Sequence, residues 1–346
     1  MSNHKLKGSV VVLGIDLAKQ SFQLHGVDAN GQVVLKKKLN RGKFSAFVAQ
    51  LPLCLIGIEA CGGANHWTRV FEKLGHTVKM IAPQFVKPFV KSNKNDAADA
   101  EAICEAVQRP SMRFVPAKSV GQQDIQSLHR VRSQAVARRT AQANQIRGLL
   151  MEYGVIIPQG ISHIRKSIPL ILEDAENELT AMFRELLAGL YDEMVHLDER
   201  IETLQNKLEA LCAQNEDCQR LLSIPGVGVL SATAMMASIG DINAFKNGRE
   251  LAAWLGLVPR QHSTGGKPTL LGISKRGDTY LRTLLIHGGR AVVRFADKHQ
   301  DRRSQWVTQL DARRGKNISA VAVANKNARI AWALLSHKTM YQTSAV

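Results

Sequence analysis

Several absences narrow what this chain can be. Its 346 residues hold five cysteines, at positions 54, 61, 104, 212 and 218, with no Cys-x-x-Cys pair among them. An odd, scattered set argues against a disulfide framework and against a structural zinc site, and it fits a reducing compartment. No apolar stretch approaches the roughly 18 residues needed to span a bilayer. The early run "VVVLGI" is cut short by Asp16, so no secretory signal is expected. A phosphate-binding Gly-x-x-x-x-Gly-Lys-Ser/Thr loop is missing, which excludes the P-loop nucleotide hydrolases. Internal repeats and low-complexity segments are also missing, so a solenoid is not expected.

Acid is scarce relative to base. There are 29 Asp and Glu against 46 Lys and Arg, a net charge of +17. A field of that size favours polyanionic partners, and without a membrane-spanning segment nucleic acid is the stronger reading. The imbalance is local as well as global. Residues 173–217 carry 13 acids against 3 Lys and Arg, whereas residues 242–346 carry 18 Lys and Arg against 5 acids. Between Ile125 and Met151 lie five arginines (Arg130, Arg132, Arg138, Arg139 and Arg147) and no acid. Two separate basic surfaces are therefore expected.

Hydrophobic residues make up 45% of the chain, enough for real cores in about two or three domains. "SVVVLGID" (9–16), "LCLIGIE" (53–59) and "TVKMIA" (77–82) read as strands buried on both faces. "SFQLHGV" and "QVVLKKKL" flank the turn signal Asp28-Ala29-Asn30-Gly31, and helices are expected near 65–74 and from Asp96 onward. The first hundred residues thus read as three meandering strands, helix, strand, helix, strand, helix. Gln122 to Tyr153 reads as one long helix ended by Gly154 and Pro158. A second long helix carries apolar residues at Leu179, Phe183, Leu186, Leu190, Met194, Leu197, Ile201, Leu204, Leu208 and Leu211. That near-heptad seam suits a self-associating coiled coil or an intramolecular helical hairpin. The boundaries expected are 1–115, 116–218 and 219–346.

Asp16 and Glu59 each end a buried strand, and Asp96 and Asp99 start one helix three residues apart, on one face. Four carboxylates gathered at strand ends repel one another unless a hard cation such as Mg²⁺ lies between them. Pairs of such ions clamp the attacking and leaving oxygens of phosphodiesters in many nucleases. An Asp after a strand is also an ordinary turn former, and Asp96 could simply cap its helix.

Taken together, "GIDLAKQSFQLHGVD", "GIEACGGANHW" and "KNDAADAEAI" resemble the three segments of a RuvC-like, RNase H-fold domain bearing an Asp-Glu-Asp-Asp set. The chain resembles the DEDD transposases of bacterial insertion sequences, a group that includes the Piv invertases. "SIPGVGVLSATAMMASIGD", "LAAWLGLVPRQHSTGGK" and "GISKRGDTYLRTLLIHGGRA" extend the likeness over nearly the whole length. The resemblance implies an α/β RNase H-like domain, a long helical coiled-coil middle and a mainly helical C-terminal transposase domain. It makes Asp16, Glu59, Asp96 and Asp99 the Mg²⁺ ligands and implies strand exchange between donor and target DNA. It also implies a noncoding bridge RNA, a homodimer or homotetramer, no membrane, and a location in the bacterial cytoplasm with the nucleoid.

"IPGVG" resembles a helix-hairpin-helix turn, in which Gly226 and Gly228 would offer backbone N–H groups to a phosphate. The alternative is a tight turn between two core helices. Lys267, Lys275, Arg276 and Arg282 would add a basic surface. The family's nucleophile is a serine in a loop matching "PRQHSTGG", where it forms a covalent phosphodiester link to DNA. Ungapped register places Thr264 at that serine, whereas the less hindered primary hydroxyl belongs to Ser263. Gly265 and Gly266 would let backbone approach the phosphate, and His262 could shuttle a proton or simply pack. One subunit need not contain a complete site: the metal-binding domain of one chain could meet the nucleophile of another. Two rivals stay open, a RuvC-like junction-resolving endonuclease that uses water and a non-catalytic nucleic-acid scaffold.

Overall fold

The computed structural model describes residues 8–91 and 95–342; Lys94, the first residue of the third carboxylate motif, lies outside them. The chain divides into two compact units, Met1–Ser119 and Val120–Val346.

The first unit is a mixed α/β layer structure. Its elements are β1 (Val12–Leu17), β2 (Ser21–Val27), β3 (Val33–Asn40), α1 (Arg41–Val48), β4 (Leu55–Glu59), α2 (Ala64–Lys73), β5 (Thr77–Ile81), the short α3 (Pro83–Val86), α4 (Asp96–Val107) and β6 (Phe114–Val115). The six strands lie in the order β3-β2-β1-β4-β5-β6. The meander β1–β2–β3 is antiparallel, β1, β4 and β5 are parallel neighbours, and β6 returns antiparallel. The turn at Asp28 forms because its carboxylate accepts from the amides of Asn30 and Gln32 while Gly31 takes a positive φ of 76°.

Period-2 alternation sends the two sets of strand residues to opposite faces. Leu13, Ile15, Ile56 and Ile58 pack with Phe22, Phe44, Trp67 and Phe71 under α1 and α2. Phe22 and Phe44 stack there at 4.1 Å between ring centroids. Val12 faces the other way, into a core with Ile103, Cys104 and Val107 of α4. Gly14 lets this helix sit directly on β1, since a Cβ there would lie 2.2 Å from the carbonyl oxygen of Ala100. The alanines of "DAADAEA" keep the facing helix surface equally thin.

The second unit is mainly helical. It comprises α5 (Val120–Met151), α6 (Ile161–Glu173), α7 (Ala181–Ala213), α8 (Glu216–Leu222), α9 (Val229–Ile239), α10 (Gly248–Trp254), the strands β7 (Pro259–Thr264) and β8 (Lys267–Ile273), then α11 (Thr279–Phe295), α12 (Arg302–Arg314) and α13 (Lys316–His337). The middle region, 116–218, contributes its three long helices to this unit. The seam of α7 packs against α5 and α6 of the same chain, burying Phe183 and Met194, with Leu187 in place of the expected Leu186, against Ile146, Leu150, Ile164 and Ile168. The seam is thus largely spent on a hairpin within the chain, leaving Leu186 and Leu211 exposed. A larger core gathers α8 to α11 and α13 around Leu221, Met235, Leu251, Leu255, Leu281 and Leu285.

Candidate functional site

The carboxylate positions converge through strand register and helix packing. Ile15 pairs with Ile58 in the parallel β1–β4 ladder, so Asp16 and Glu59 follow side by side. Each stands two residues beyond a glycine, Gly14 or Gly57, over which α4 packs, and therefore faces the α4 side of the sheet. The helix runs antiparallel to β1: Cys104 donates to the carbonyl of Val12, whereas Ala100 lies over Gly14. Its first turn, with Asp96 and Asp99, therefore lies toward the strand end that bears Asp16. The N-cap is Asn95, whose side chain accepts from the amide of Ala97, so Asp96 is the first helical residue and not the cap.

Asp16, Glu59 and Asp99 are half-buried and Asp96 is exposed. The field of the strand-end pair is felt at Cys61, whose thiol is pushed up by partial burial and then by the charges of Glu59 and Asp16. Among the described residues, no three His, Cys, Asp or Glu side chains close to a metal-binding separation. The backbone thus brings the four positions to one face, at the C-terminal end of the central strands, without drawing their carboxylates into a cluster.

The "PRQHSTGGK" segment, expected as a loop, is a β-hairpin. Gly265 and Gly266 are its two-residue turn, with φ of 58° and 76°, both positive as a type I′ turn requires. Nothing lies within 4 Å of a Cβ built at either, so they serve the turn and are open to solvent. Strand geometry separates the two hydroxyls, because successive side chains leave opposite faces. Ser263 shares a face with Gln261, whose Nε2 donates to Ser263 Oγ at 2.7 Å. Thr264 is paired across the strands with Lys267 and shares its face with His262. The hairpin is exposed from Arg260 to Gly272, but its base is fixed. Ser274 N–H donates to the Val258 carbonyl, and Asn325 Nδ2 to that of Leu257.

The proposed basic residues fall into two groups. Arg130, Arg138, Lys267, Lys275 and Arg276 are exposed, and Arg132 is half-buried. Others are occupied within the protein. Arg139 pairs with Asp198 of α7 at 2.6 Å, and Arg147 bonds Asn144 on its own helix. Arg282 is only 7% exposed and donates to the carbonyls of Leu255 and Arg276, so it clamps the hairpin base and is not offered to a nucleic acid. Gly226 has φ of 84°, and a Cβ there would meet the Gly288 carbonyl oxygen at 2.7 Å. With Ile224 and Val227 buried beside it, "IPGVG" joins α8 to α9 as a core turn, while exposed Gly228 caps α9. Sequence reasoning missed Gln261. Alternation around the Gly-Gly turn could have put it on the Ser263 face.

Comparison with known proteins adds an independent line. A family model for DEDD IS110 proteins, described as a transposase, matches residues 13–155, and one described as the transposase IS116/IS110/IS902 family matches residues 218–305. The chain is 54% identical to a probable family 20 transposase of Pseudomonas aeruginosa over 95% of its own length and 98% of that protein. It is 49% identical to the transposase for insertion sequence element IS1111A of Coxiella burnetii, covering 97% of this chain and 92% of the relative. A pilin gene-inverting protein of Moraxella bovis is 33% identical over 98 residues, 28% of this chain and 29% of that protein.

Proposed function

The chain belongs to the IS116/IS110/IS902 transposase family, and on that premise we propose how this DNA transposase divides its chemistry between the two units. The first unit is RNase H-like, of the RuvC-like kind. An antiparallel meander continuing into parallel strands that alternate with helices supports this reading. Asp16, Glu59, Asp96 and Asp99 would hold Mg²⁺, for which an all-oxygen donor set is chemically suited. The observation that carries the proposal is the side-by-side register of Asp16 and Glu59 on the face covered by α4. When bound, the ion would stabilise negative charge developing on the phosphate.

The second unit supplies the nucleophile. Ser263 is favoured, because Gln261 donates to its Oγ and leaves the hydroxyl proton free to be removed. In the reaction the hydroxyl loses that proton, an Oγ–phosphorus bond forms, and the bond from phosphorus to the leaving strand breaks. The departing oxygen takes up a proton. Lys267 adds positive charge at the hairpin tip, on the Thr264 face and not on that of Ser263. Exposed Arg130 and Arg138 on α5 support contact with nucleic acid, including a bridge RNA between donor and target DNA. Assembly into a dimer or tetramer would draw on the exposed α7 positions Leu186 and Leu211.

The test is adduct trapping on donor and target DNA with Mg²⁺ and the element's own RNA. A protein–DNA adduct that persists in Thr264→Ala and disappears in Ser263→Ala is expected. Loss only in Thr264→Ala would transfer the role to threonine. Strand cleavage with no adduct would point to water as nucleophile and sink the covalent reading.

A further inference from the structure

A groove of about 1490 Å³ lies at the root of the β7–β8 hairpin, between it and α13. Arg249, Arg314, Lys326 and Arg329 line it, and none of its lining residues is an acid. No carboxylate in the lining offsets these cations, and Lys326 Nζ lies over the Trp306 ring, 4.3 Å from its centroid. The Lys326 ammonium is pushed down by burial and then by the charges of Arg303, Arg302 and Arg329. Buried Arg303 is not part of the lining; it bonds Asn327 and the Pro225 carbonyl and lies over the Tyr341 ring at 5.6 Å. Clustered cations repel one another and destabilise the free protein, so such a cluster is explained most directly by an anionic occupant.

Position selects which one. Leu270 lines the groove, and its cross-strand partner Gln261 shares a hairpin face with Ser263. From Pro259 to Ser263 the strand rises about 13 Å, equivalent to about four base pairs of duplex. We propose that this groove seats the DNA that leads to the reacting phosphate, with Arg249, Lys326 and Arg329 neutralising its backbone about four base pairs from the hydroxyl. The inference rests on the reading of the hairpin as the nucleophile arm.

The test measures binding of a fluorescein-labelled 30-bp DNA duplex to the full-length protein in EDTA, across a salt series. No chemistry occurs under these conditions, so failure of the covalent reading leaves the measurement intact. The triple variant R249Q/K326Q/R329Q should bind at least tenfold more weakly at moderate salt. Its slope of log K against log salt should flatten by about 2–3, since each phosphate contact contributes about 0.9. The exposed single change Arg249→Gln, which poses no folding risk, should flatten it by about one. A matched change of charge elsewhere, K36Q/K38Q/K43Q, should do much less. Equal losses in the two triple variants would reduce the effect to net charge and overturn the assignment. So would a loss confined to single-stranded RNA of the same length, or unchanged DNA binding with an altered oligomeric state.

Discussion

Replacing Gly14 with alanine tests whether the packing of α4 on β1 sets the carboxylate face. The added Cβ would stand 2.2 Å from the Ala100 carbonyl oxygen and 2.5 Å from the Cys104 amide nitrogen, both backbone atoms. A carbon and a carbonyl oxygen ordinarily come no closer than about 3.3 Å, so the helix must retreat by about 1 Å. Overpacking of this kind costs about 1–3 kcal/mol. The retreat carries Asp96 and Asp99 away from Asp16 and Glu59, and a displacement of about 1 Å near reacting groups can cost ~100-fold in rate. Gly57→Ala is the comparison: its Cβ meets the Val107 side chain at 2.9 Å, and a side chain can adjust where backbone cannot. Thermal unfolding and Mg²⁺-dependent strand cleavage should both fall in Gly14→Ala, by several degrees and ~100-fold, and less in Gly57→Ala. A Gly14→Ala protein of lowered Tm but wild-type cleavage rate would refute the claim that helix position sets the site.

Other outcomes follow from the same contacts. Buried His129 bonds Tyr280 and Thr233, and desolvation with the nearby charge of Arg132 holds its imidazole down to about 4. The unfolded chain then binds more protons between about pH 6.5 and 4, so this contribution is complete above about 6.5 and is lost as pH falls through that window. Urea unfolding should show about 2 kcal/mol less stability at pH 5 than at 6.5 from this group, and His129→Phe should flatten the dependence. Met194→Ala, in the fully buried part of the α7 seam, should cost about 2–5 kcal/mol in chemical denaturation. Leu186→Ala, at a position 57% exposed, should leave stability within about 0.5 kcal/mol and instead weaken self-association measured by sedimentation. Arg282→Gln should loosen the hairpin base, and faster proteolytic nicking near residues 259–273 would report it.

Sequence made the carboxylate framework legible because local rules and global packing agree there. Continuous apolar runs mark β1, β4 and β5, and the residue that ends the first two runs is an acid. The alanine-rich start of α4 signals a helix that must lie close to something. What no pattern in the sequence supplied was its partner, Gly14, because a close approach between residues 86 positions apart leaves no local trace. Arginines illustrate the opposite limit. Arg130, Arg139 and Arg282 are the same residue type in basic surroundings, yet one is exposed, one is paired to Asp198 and one is buried as a backbone clamp. Their fates depend on which acids and carbonyls the fold brings up.

The hairpin shows why residue type alone left the nucleophile undecided. Ser263 and Thr264 are adjacent in sequence, and composition offers only the contrast between a primary and a secondary hydroxyl. Once the Gly265–Gly266 turn fixes two strands, the question becomes which face of a ribbon meets the phosphate. The faces differ chemically: Gln261 and Leu270 accompany Ser263, whereas His262, Lys267 and Thr269 accompany Thr264. Exchanging the faces is therefore more informative than deleting either hydroxyl. Inserting one glycine into the turn should lengthen it while keeping each side chain on its own face. Deleting the cross-strand pair Gln261 and Leu270 together should shorten both strands by one residue, keep the Gly-Gly turn, and turn Ser263 toward the side now held by Thr264. If Ser263 is the nucleophile and its face is what meets DNA, the insertion should retain an adduct and the deletion should abolish it. An adduct moved to Thr264 in the deletion variant would show that the face selects the nucleophile, whichever hydroxyl stands on it.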